Sequence, residues 1–388
     1  MNNPSLRFNI ALFAFIPPIQ MGIDIYTPSM PHMVTALSTS TAAIEWSMII
    51  YLIAMGLSEF IAGVVSDYCG RRWTLLVSAV FFLVGSVLCM FAHTITALLV
   101  GRFIQGAGSG IQVVMTAIVS DCYQGKRLSK VTSYMSMGWS LMPILAPGIG
   151  GFLQQAFGWQ ANFVVMAIYI VVAAVLAYMW IPETFAREKR PRVSPWVYSH
   201  GLWRLTQNRV FIIATLLMIL MWSVMMLFNV MTPFLFETQL GLSAAQYGMI
   251  ALIYGAAYFV GSLINIRLQK RLRSRRLIFI GLWITLASSI ALAITGLFHL
   301  LSLAWIMPFL LVAVAATGLV FPHCLAKAMQ QFNPAQAGLG SAWMSALIIL
   351  GTALITIFTA NIHIHSQMPL ALAYVAIAGV SLPLAWKI

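Results

Sequence analysis

Three ionisable residues, Asp24, Glu59 and Arg102, fall inside long apolar stretches of the sequence. A charge at membrane depth is costly, so such residues usually have a function. Counting helical rise from the ends of their stretches predicts that Asp24 and Arg102 lie at similar depth. An opposite charge favours the ionised carboxylate and burial favours the neutral one. We expect Asp24 to exchange a proton for a substrate; a static buried pair with Arg102 is the alternative.

Glu59 shares a helical stripe with Gly63 and Asp67, each four residues further on. Two interpretations stay open for it. Its carboxyl is either a second proton site near the inner face or an uncharged, hydrogen-bonding group between two helices. Glu237, at the outer end of the seventh apolar stretch, is expected to be solvated.

The elements that position these residues follow from hydropathy. The chain has 388 residues, of which 61% are hydrophobic and 7% are charged, whereas soluble proteins have about 25% charged residues. Twelve continuous apolar runs are each long enough for a spanning helix of roughly 20 residues. Membrane barrels instead alternate apolar and polar residues. The sequence predicts an all-α membrane protein with 12 transmembrane helices.

The basic residues predict the orientation in the bilayer. All of the 21 Lys and Arg except Arg102 fall in gaps between runs that open on one side. The positive-inside rule places this side, and with it both termini, in the cytoplasm. The net charge of +13 is therefore a topology signal, and we expect no nucleic-acid partner.

A polar, basic stretch divides the runs into six plus six. The predicted organisation is an N-terminal six-helix bundle at residues 1–181, a cytoplasmic linker at 182–208 and a C-terminal six-helix bundle at 209–388. Two such halves indicate a duplication about an axis along the membrane normal.

Three motifs resemble those of the major facilitator superfamily. The loop Gly63-Val-Val-Ser-Asp67-Tyr-Cys-Gly70-Arg71-Arg72 resembles its signature loop, and Arg102-Phe-Ile-Gln105-Gly106-Ala-Gly108 resembles its second motif. Ala146-Pro147-Gly148-Ile-Gly150-Gly151 is similar to its antiporter motif. The resemblance implies the major facilitator fold, in which the two bundles surround a central cavity that the first and fourth helices both line. Asp24 and Arg102 are therefore expected to be electrostatic partners. The resemblance also implies a conformational latch. The latch residues would be Gly63, Asp67, Gly70, Arg71 and Arg72, and the antiporter residues would be Pro147, Gly148, Gly150 and Gly151.

A narrower resemblance comes from the first helix. Its segment Asp24-Ile-Tyr26-Thr-Pro28-Ser-Met-Pro31 looks like that of the Bcr/CflA (bicyclomycin and chloramphenicol resistance) drug:proton antiporters. The chain departs from this group at Ser120, where Arg is usual, and at His323, where Asn is common. The resemblance implies a monomer in the bacterial inner membrane that is driven by the proton gradient without a cofactor.

The expected function is proton-coupled export of amphipathic small molecules by alternating access, with protons, substrate and lipid as partners. A pocket for such substrates favours aromatic, Met and amide groups. The predicted substrate contacts are Gln20, Tyr26, Gln112, Trp139, Trp222 and Asn229. No catalytic or metal site is expected, so the chain is predicted not to be an enzyme.

Other functions stay open. The chief alternative is a dedicated exporter of an endogenous metabolite or siderophore, and efflux assays with drugs would distinguish it from a multidrug exporter. An uptake symporter and a non-transporting membrane sensor are further alternatives. The antiporter motif argues against the symporter, and the buried pair Asp24 and Arg102 argues against the sensor.

Overall fold

The computed structural model describes residues 4–185, 203, 205–332, 337–360, 362 and 364–387. Their secondary structure is helical, and these residues contain no β-strand. The predicted all-α fold is therefore confirmed. Most of the predicted linker at 182–208 lies outside the described residues, and the division into two bundles at its ends stays a prediction.

The helices of the first half follow one another with short connections. They are α1 (Leu6–Phe13), α2 (Ile16–Asp24), a 3-10 turn (Thr27–Ser29), α3 (Met30–Ala36), α4 (Thr41–Cys69), α5 (Arg71–Met90), α6 (Ile95–Ala107), a second 3-10 turn (Gly108–Gly110), α7 (Ile111–Cys122), α8 (Gly125–Phe157) and α9 (Gln160–Trp180).

The described helices of the second half are mostly unbroken. They are α10 (Arg209–Pro233), a π-helix (Phe234–Gln239), α11 (Ala244–Leu268), α12 (Ser274–Leu297), α13 (Leu303–Met329), α14 (Ala337–Thr359) and α15 (Met368–Ala385).

Eleven helical stretches of the described residues are long and apolar enough to cross a membrane. The remaining long helix, α8, has 33 residues and is long enough to span a membrane, but it is not apolar enough. Its composition is the reason, because one end is basic and hydroxyl groups recur along it. These polar residues are Lys126, Arg127, Ser129, Lys130, Thr132, Ser133, Ser136 and Ser140. Eleven of the twelve predicted spans thus have the expected character.

The first span is broken close to Asp24. Pro17 and Pro18 stand in the first turn of α2, where the absent N–H of proline is tolerated. The helix ends at Asp24, and a 3-10 turn that contains Pro28 follows. The Thr27 hydroxyl donates to the Asp24 carbonyl at 2.9 Å, which satisfies a backbone acceptor at the break. Asp24 therefore occupies a helix end in the middle of the span.

The two halves of the chain pack through α4 against α14 and through α8 against α11. The backbones of α8 and α11 approach each other so closely that glycine is required where they meet. A Cβ on Gly151 would lie 2.3 Å from the Ala244 carbonyl oxygen, and a Cβ on Gly248 would lie 2.5 Å from that of Pro147. Small residues let helix backbones approach in this way in membranes.

Large apolar side chains cover the outward-facing surfaces of the helices. Examples are Phe81, Phe152, Ile168, Trp283 and Phe298, which are all exposed. A soluble protein rarely exposes so large an apolar surface. Together with the eleven apolar helices, this surface identifies a multi-pass membrane protein.

Candidate functional site

A cavity of about 930 Å³ lies between the two halves. Residues of α2, α7 and α8 line it on one side, and residues of α10, α13 and α14 line it on the other. Asp24 and Asn229 lie at one end of the cavity, and Asp67, Arg71 and Asp121 lie at the other.

The Asp24 end of the cavity is sealed. The 3-10 turn Thr27–Ser29 packs against α10 and α11, and α3 packs against the π-helix. His32 Nδ1 lies 3.4 Å from Glu237 Oε2, which joins α3 to the π-helix. The expectation that Glu237 is solvated is wrong, because its side chain is only 3% exposed. The packing of α3 over the π-helix excludes water from it.

The Arg71 end of the cavity is open. The lining residues Ser120, Thr132 and Met329 are exposed there. Water therefore reaches the cavity from the end where the chain crosses between α4 and α5.

Asp24 forms a hydrogen bond that joins the two halves. Its side chain is buried, and Oδ1 accepts a hydrogen bond from Nδ2 of Asn229, on α10, at 2.7 Å. Both residues line the sealed end of the cavity. Asn229 was predicted as a substrate contact, and the structure gives it a carboxylate partner in addition.

The predicted contact between Asp24 and Arg102 is wrong for this structure. Within the described residues, no ion pair includes either side chain. Arg102 is completely buried between the rings of Tyr26 and Tyr51, with its guanidinium carbon 4.3 and 4.1 Å from their centroids. Its Nη1 donates to Gln105 Oε1 at 2.5 Å. Aromatic faces and an amide oxygen stabilise the cation where a carboxylate was expected. Equal depth says nothing about the direction in which a side chain points.

Tyr26 is a second correction. It was predicted to contact substrate, but it is fully buried and does not line the cavity. Its ring covers Arg102, and its hydroxyl lies 3.2 Å from Ser47 Oγ. Tyr26 follows Asp24 by two residues, and helical residues at this spacing point away from each other.

Sequence reasoning did not identify Tyr51. Its ring lies against Arg102, and its hydroxyl donates to the Ile19 carbonyl of α2 at 3.3 Å and lies 2.9 Å from Ser109 Oγ. Tyr51 thus links the buried cation to the helix that ends at Asp24. A tyrosine in an apolar run gives no signal that would distinguish it from a packing residue.

Glu59 lies between α4 and α14 rather than in the cavity. It is fully buried, and in the part of the chain that the structure describes neither of its carboxyl oxygens has a hydrogen bond within 3.5 Å. Ser345 of α14 faces it. Sequence reasoning missed Glu45, which is buried near the other end of α4 and is likewise without a hydrogen-bond partner among the described residues. The position of Glu45, five residues into an apolar helix, could have identified it from the sequence.

The 63–72 motif forms a charged cluster within the first half. Arg71 Nη1 lies 2.5 Å from Asp67 Oδ1, and Arg71 Nε donates to Asp121 Oδ2 at 3.1 Å. The Arg71 backbone N–H donates to Glu183 Oε1 at 2.9 Å. Gly70 has φ of 102°, a left-handed value that favours glycine. The cluster ties α4, α5 and α7 to the segment after α9.

The other two residues of the motif make different contacts. Arg72 donates from Nη2 to the Tyr178 carbonyl of α9 at 2.6 Å. Gly63 faces Val113 of α7 and Ala342 of α14, so it lies where the two halves meet beside the cavity. Asp121, which completes the cluster, had no assigned role in the sequence interpretation.

The predicted antiporter residues are packing positions around Asp24. Gly150 contacts the backbone of Ile25, Gly151 contacts Ala244, and the carbonyl of Pro147 contacts Gly248. Gly148 faces Leu252 at ordinary contact distance. The segment is wedged between the end of α2 and α11, at the sealed end of the cavity.

The remaining predicted substrate contacts line the cavity: Gln20, Gln112, Trp139 and Trp222. Three of their polar atoms, Gln112 Oε1, Trp139 Nε1 and Trp222 Nε1, have no hydrogen-bond partner among the described residues. The wall formed by the second half is apolar and polarizable, with Met221, Met225, Met226, Phe321 and Met329. Such walls accommodate varied lipophilic ligands. The described residues contain no group of three or more His, Cys, Asp or Glu that could hold a metal.

Comparisons with known proteins agree with this architecture. The family model described as Major Facilitator Superfamily matches residues 18–356. Multidrug resistance protein MdtL from Escherichia coli and that from Shigella flexneri are 28% identical over 349 residues, which cover 90% of this chain and 87% of theirs.

Two solved structures share the fold at low sequence identity. The xylose transporter XylE from E. coli, in a partially occluded inward open conformation, has a TM-score of 0.74 and 14% identity over 98% of this chain and 97% of its own. The human organic anion transporter MFSD10 has a TM-score of 0.70 and 15% identity over 98% of each chain.

Proposed function

Because the chain belongs to the major facilitator superfamily, a family of transporters rather than enzymes, we propose that it is a proton-coupled exporter of amphipathic small molecules. It works by alternating access, as a monomer in the inner membrane of a bacterium, and needs no cofactor. The name of the relative MdtL, a multidrug resistance protein, supports export of lipophilic compounds.

The proposal includes a topology of twelve spans, with α8 as the twelfth and both termini in the cytoplasm. The distribution of Lys and Arg supports it, since every one except Arg102 falls on one predicted side. Arg71 and the open end of the cavity lie on that side. The cavity in this structure then faces the cytoplasm, ready to take up a substrate for export.

The observation that carries the proposal is the hydrogen bond between Asp24 and Asn229. It places a carboxyl at the innermost point of the cavity, on the contact that would have to break for the sealed end to open. An uncharged carboxyl passes through a buried rearrangement at lower cost than a carboxylate. Proton binding and the return to the sealed state are thereby coupled through one side chain.

The cycle that follows has two halves. With the cavity open to the outside, Asp24 takes up a proton, and the neutral carboxyl permits the return to the state described here. A substrate that enters from the cytoplasm displaces this proton to the inside, and the loaded protein reopens outward. One residue that serves proton and substrate in turn produces exchange.

Arg102 acts in this cycle as a positioning residue. Its stack with Tyr51 holds the tyrosine hydroxyl that donates to Ile19 of α2. The cation therefore fixes the helix that presents Asp24, although it makes no ion pair with that carboxylate in the structure as described.

The test uses purified protein in proteoliposomes with a pH-sensitive dye inside. In the wild type, addition of a transported substrate on the cytoplasmic side should release protons, and an imposed proton gradient should drive substrate uphill. Asp24→Asn keeps the size of the side chain and removes the titrating group, so we expect it to lose both effects. Full proton coupling in Asp24→Asn would refute the proposal.

Asp121→Asn is the matched control, since this acid also lines the cavity but pairs with Arg71. It should retain proton release and gradient-driven transport. Substrate movement in the same direction as the proton would identify a symporter and would also contradict the proposal.

A further inference from the structure

The first half of the chain lines the cavity with a ladder of hydroxyl groups. Thr116 and Ser120 lie four residues apart on α7, and Ser136 and Ser140 lie four residues apart on α8. Residues at this spacing share one face of a helix. We call these four residues the hydroxyl wall.

Each hydroxyl of the wall donates to the backbone carbonyl four residues earlier. The distances are 3.0 Å for Thr116, Ser120 and Ser136 and 2.9 Å for Ser140. A hydroxyl has one hydrogen to donate and two lone pairs that accept. Because the hydrogens are used within the helices, the wall offers lone pairs, and hence acceptors, to the cavity.

The polar face of α7 extends one turn further, to Gln112. This residue lies one turn before Thr116 and also lines the cavity. Polar side chains therefore continue from Ser120, near the open end, towards the level of Asp24.

The charges around the cavity have the same preference. Among the described residues that line it, the acids are Asp24, Asp67 and Asp121, and the one cation is Arg71. Arg71 contacts both Asp67 and Asp121, so its charge is already compensated. The cavity thus favours a cationic ligand over an anionic one.

The opposite wall can hold the apolar part of such a ligand. The rings of Trp222 and Phe321 lie 6.2 Å apart, and Met221 and Met225 lie on the same side of the cavity. Aromatic faces and thioethers bind lipophilic groups and attract cations.

We propose that this cavity selects lipophilic ammonium ions that carry an N–H, with the N–H donated to the hydroxyl wall and the apolar body on the Met and aromatic wall. The inference rests on the proposed function, because it names the substrate class of the same site. A quaternary ammonium ion has the charge and the apolar body but has no N–H to donate. A site that hydrogen-bonds a substrate group discriminates against the analogue that lacks it.

The test compares three probes that share one aromatic body: protonated naphthylmethyl-dimethylamine, naphthylmethyl-trimethylammonium and naphthylmethanol. Binding to the full chain in nanodiscs is measured by titration calorimetry at neutral pH without a proton gradient. A hydrogen bond to a charged donor corresponds to about a tenfold difference in affinity or more. We expect the protonated amine to bind about tenfold more tightly than the quaternary ion, and naphthylmethanol to bind more weakly than either.

The variant Ser120→Ala/Ser136→Ala removes two of the four acceptors, so it should reduce the preference for the N–H while leaving the affinity for the quaternary ion unchanged. Ser133→Ala is the matched control. Ser133 makes the same kind of bond, to the Ser129 carbonyl at 2.8 Å, but does not line the cavity. It should leave all three affinities as in the wild type.

Equal affinity of the wild type for the amine and the quaternary ion would overturn the proposal. So would an unaltered preference in the double variant, or no measurable binding of the amine. The wild-type comparison does not depend on any variant being folded. Since no proton gradient is present, these results are independent of the liposome test of export.

Discussion

Gly150 of α8 lies directly against the backbone of Ile25, the residue after Asp24. A Cβ on Gly150 would stand 1.6 Å from the Ile25 carbonyl oxygen, which no side chain can accommodate. The glycine-rich segment of α8 thus sets the position of the chain that carries the buried carboxyl. This contact gives the segment a physical role, which is to place Asp24 against Asn229.

Gly150→Ala is therefore expected to destabilise the protein by about 3 kcal/mol, the upper part of the range for overpacked positions. Its melting temperature in detergent should fall, and the variant that remains folded should transport poorly. Gly148→Ala is the control, since its Cβ would meet Leu252 at an ordinary 3.5 Å. Equal stability of the two variants would show that the contact with Ile25 is unimportant.

The second prediction concerns the bond at the sealed end of the cavity. Asn229→Leu keeps the approximate size of the side chain and removes the donor to Asp24. A hydrogen bond to a neutral carboxyl contributes about 1 kcal/mol, so we expect the population that is open at this end to rise by roughly fivefold.

A short cross-linker between His32→Cys and Glu237→Cys measures that population, because these positions face each other across the sealed end. Cross-linking should be fast in the background with Asn229 and slower with Asn229→Leu. The control is the reverse exchange, Leu220→Asn, at a half-buried position on α10 that does not line the cavity. It should leave the cross-linking rate unchanged. An unchanged rate in Asn229→Leu would contradict the prediction.

The third prediction separates the two arginines of the 63–72 motif. Arg71→Ala leaves Asp67 and Asp121 without their shared cation and should lower the free energy of unfolding by about 2 kcal/mol. Arg72→Ala removes a contact of an exposed guanidinium with Tyr178 and should have little effect. Thermal unfolding in detergent checks both. A larger loss of unfolding free energy in Arg72→Ala than in Arg71→Ala would contradict the stabilising role given to Arg71.

The fourth prediction decides between the two interpretations of Glu59. Because its carboxyl faces α14 and does not line the cavity, we expect Glu59→Gln to retain proton-coupled transport. Glu45→Gln is the comparison, since both acids are buried on α4. Proton release in liposomes is measured for each variant beside Asp24→Asn. Loss of coupling in Glu59→Gln alone would make it a second proton site.

Much of the fold could be predicted from composition and motifs. The resemblance to the major facilitator superfamily is confirmed by the match over residues 18–356. The apolar runs correspond to the helices. The helix α8 is less apolar than the others because several of the residues that line the cavity on it carry hydroxyl groups. Mean hydropathy averages over all faces of a helix, so it does not show whether the polar residues lie on one face that lines a cavity.

The site could be predicted only in part. Gln20, Gln112, Trp139, Trp222 and Asn229 line the cavity, and their contact with a substrate stays a prediction. The partners of Asp24 and Arg102 could not be derived, because the apolar runs do not show that α2 ends at Asp24 or which way either side chain points. Motif spacing gives depth along a helix, whereas pairing depends on rotation about its axis.

The polarity of α8 also bears on how the protein is made. A segment with this many hydroxyl and basic residues has a weaker tendency to leave the translocon for lipid than its neighbours. The hydroxyls of α8 donate to its own backbone, which lowers the cost of placing them in lipid. Its glycines, however, pack against Ile25 at the end of α2 and against α11. In the proposed topology of twelve spans, we therefore expect stable insertion of α8 to require the synthesis of α11. A nascent chain that ends before α11 should hold α8 less firmly than the complete chain does.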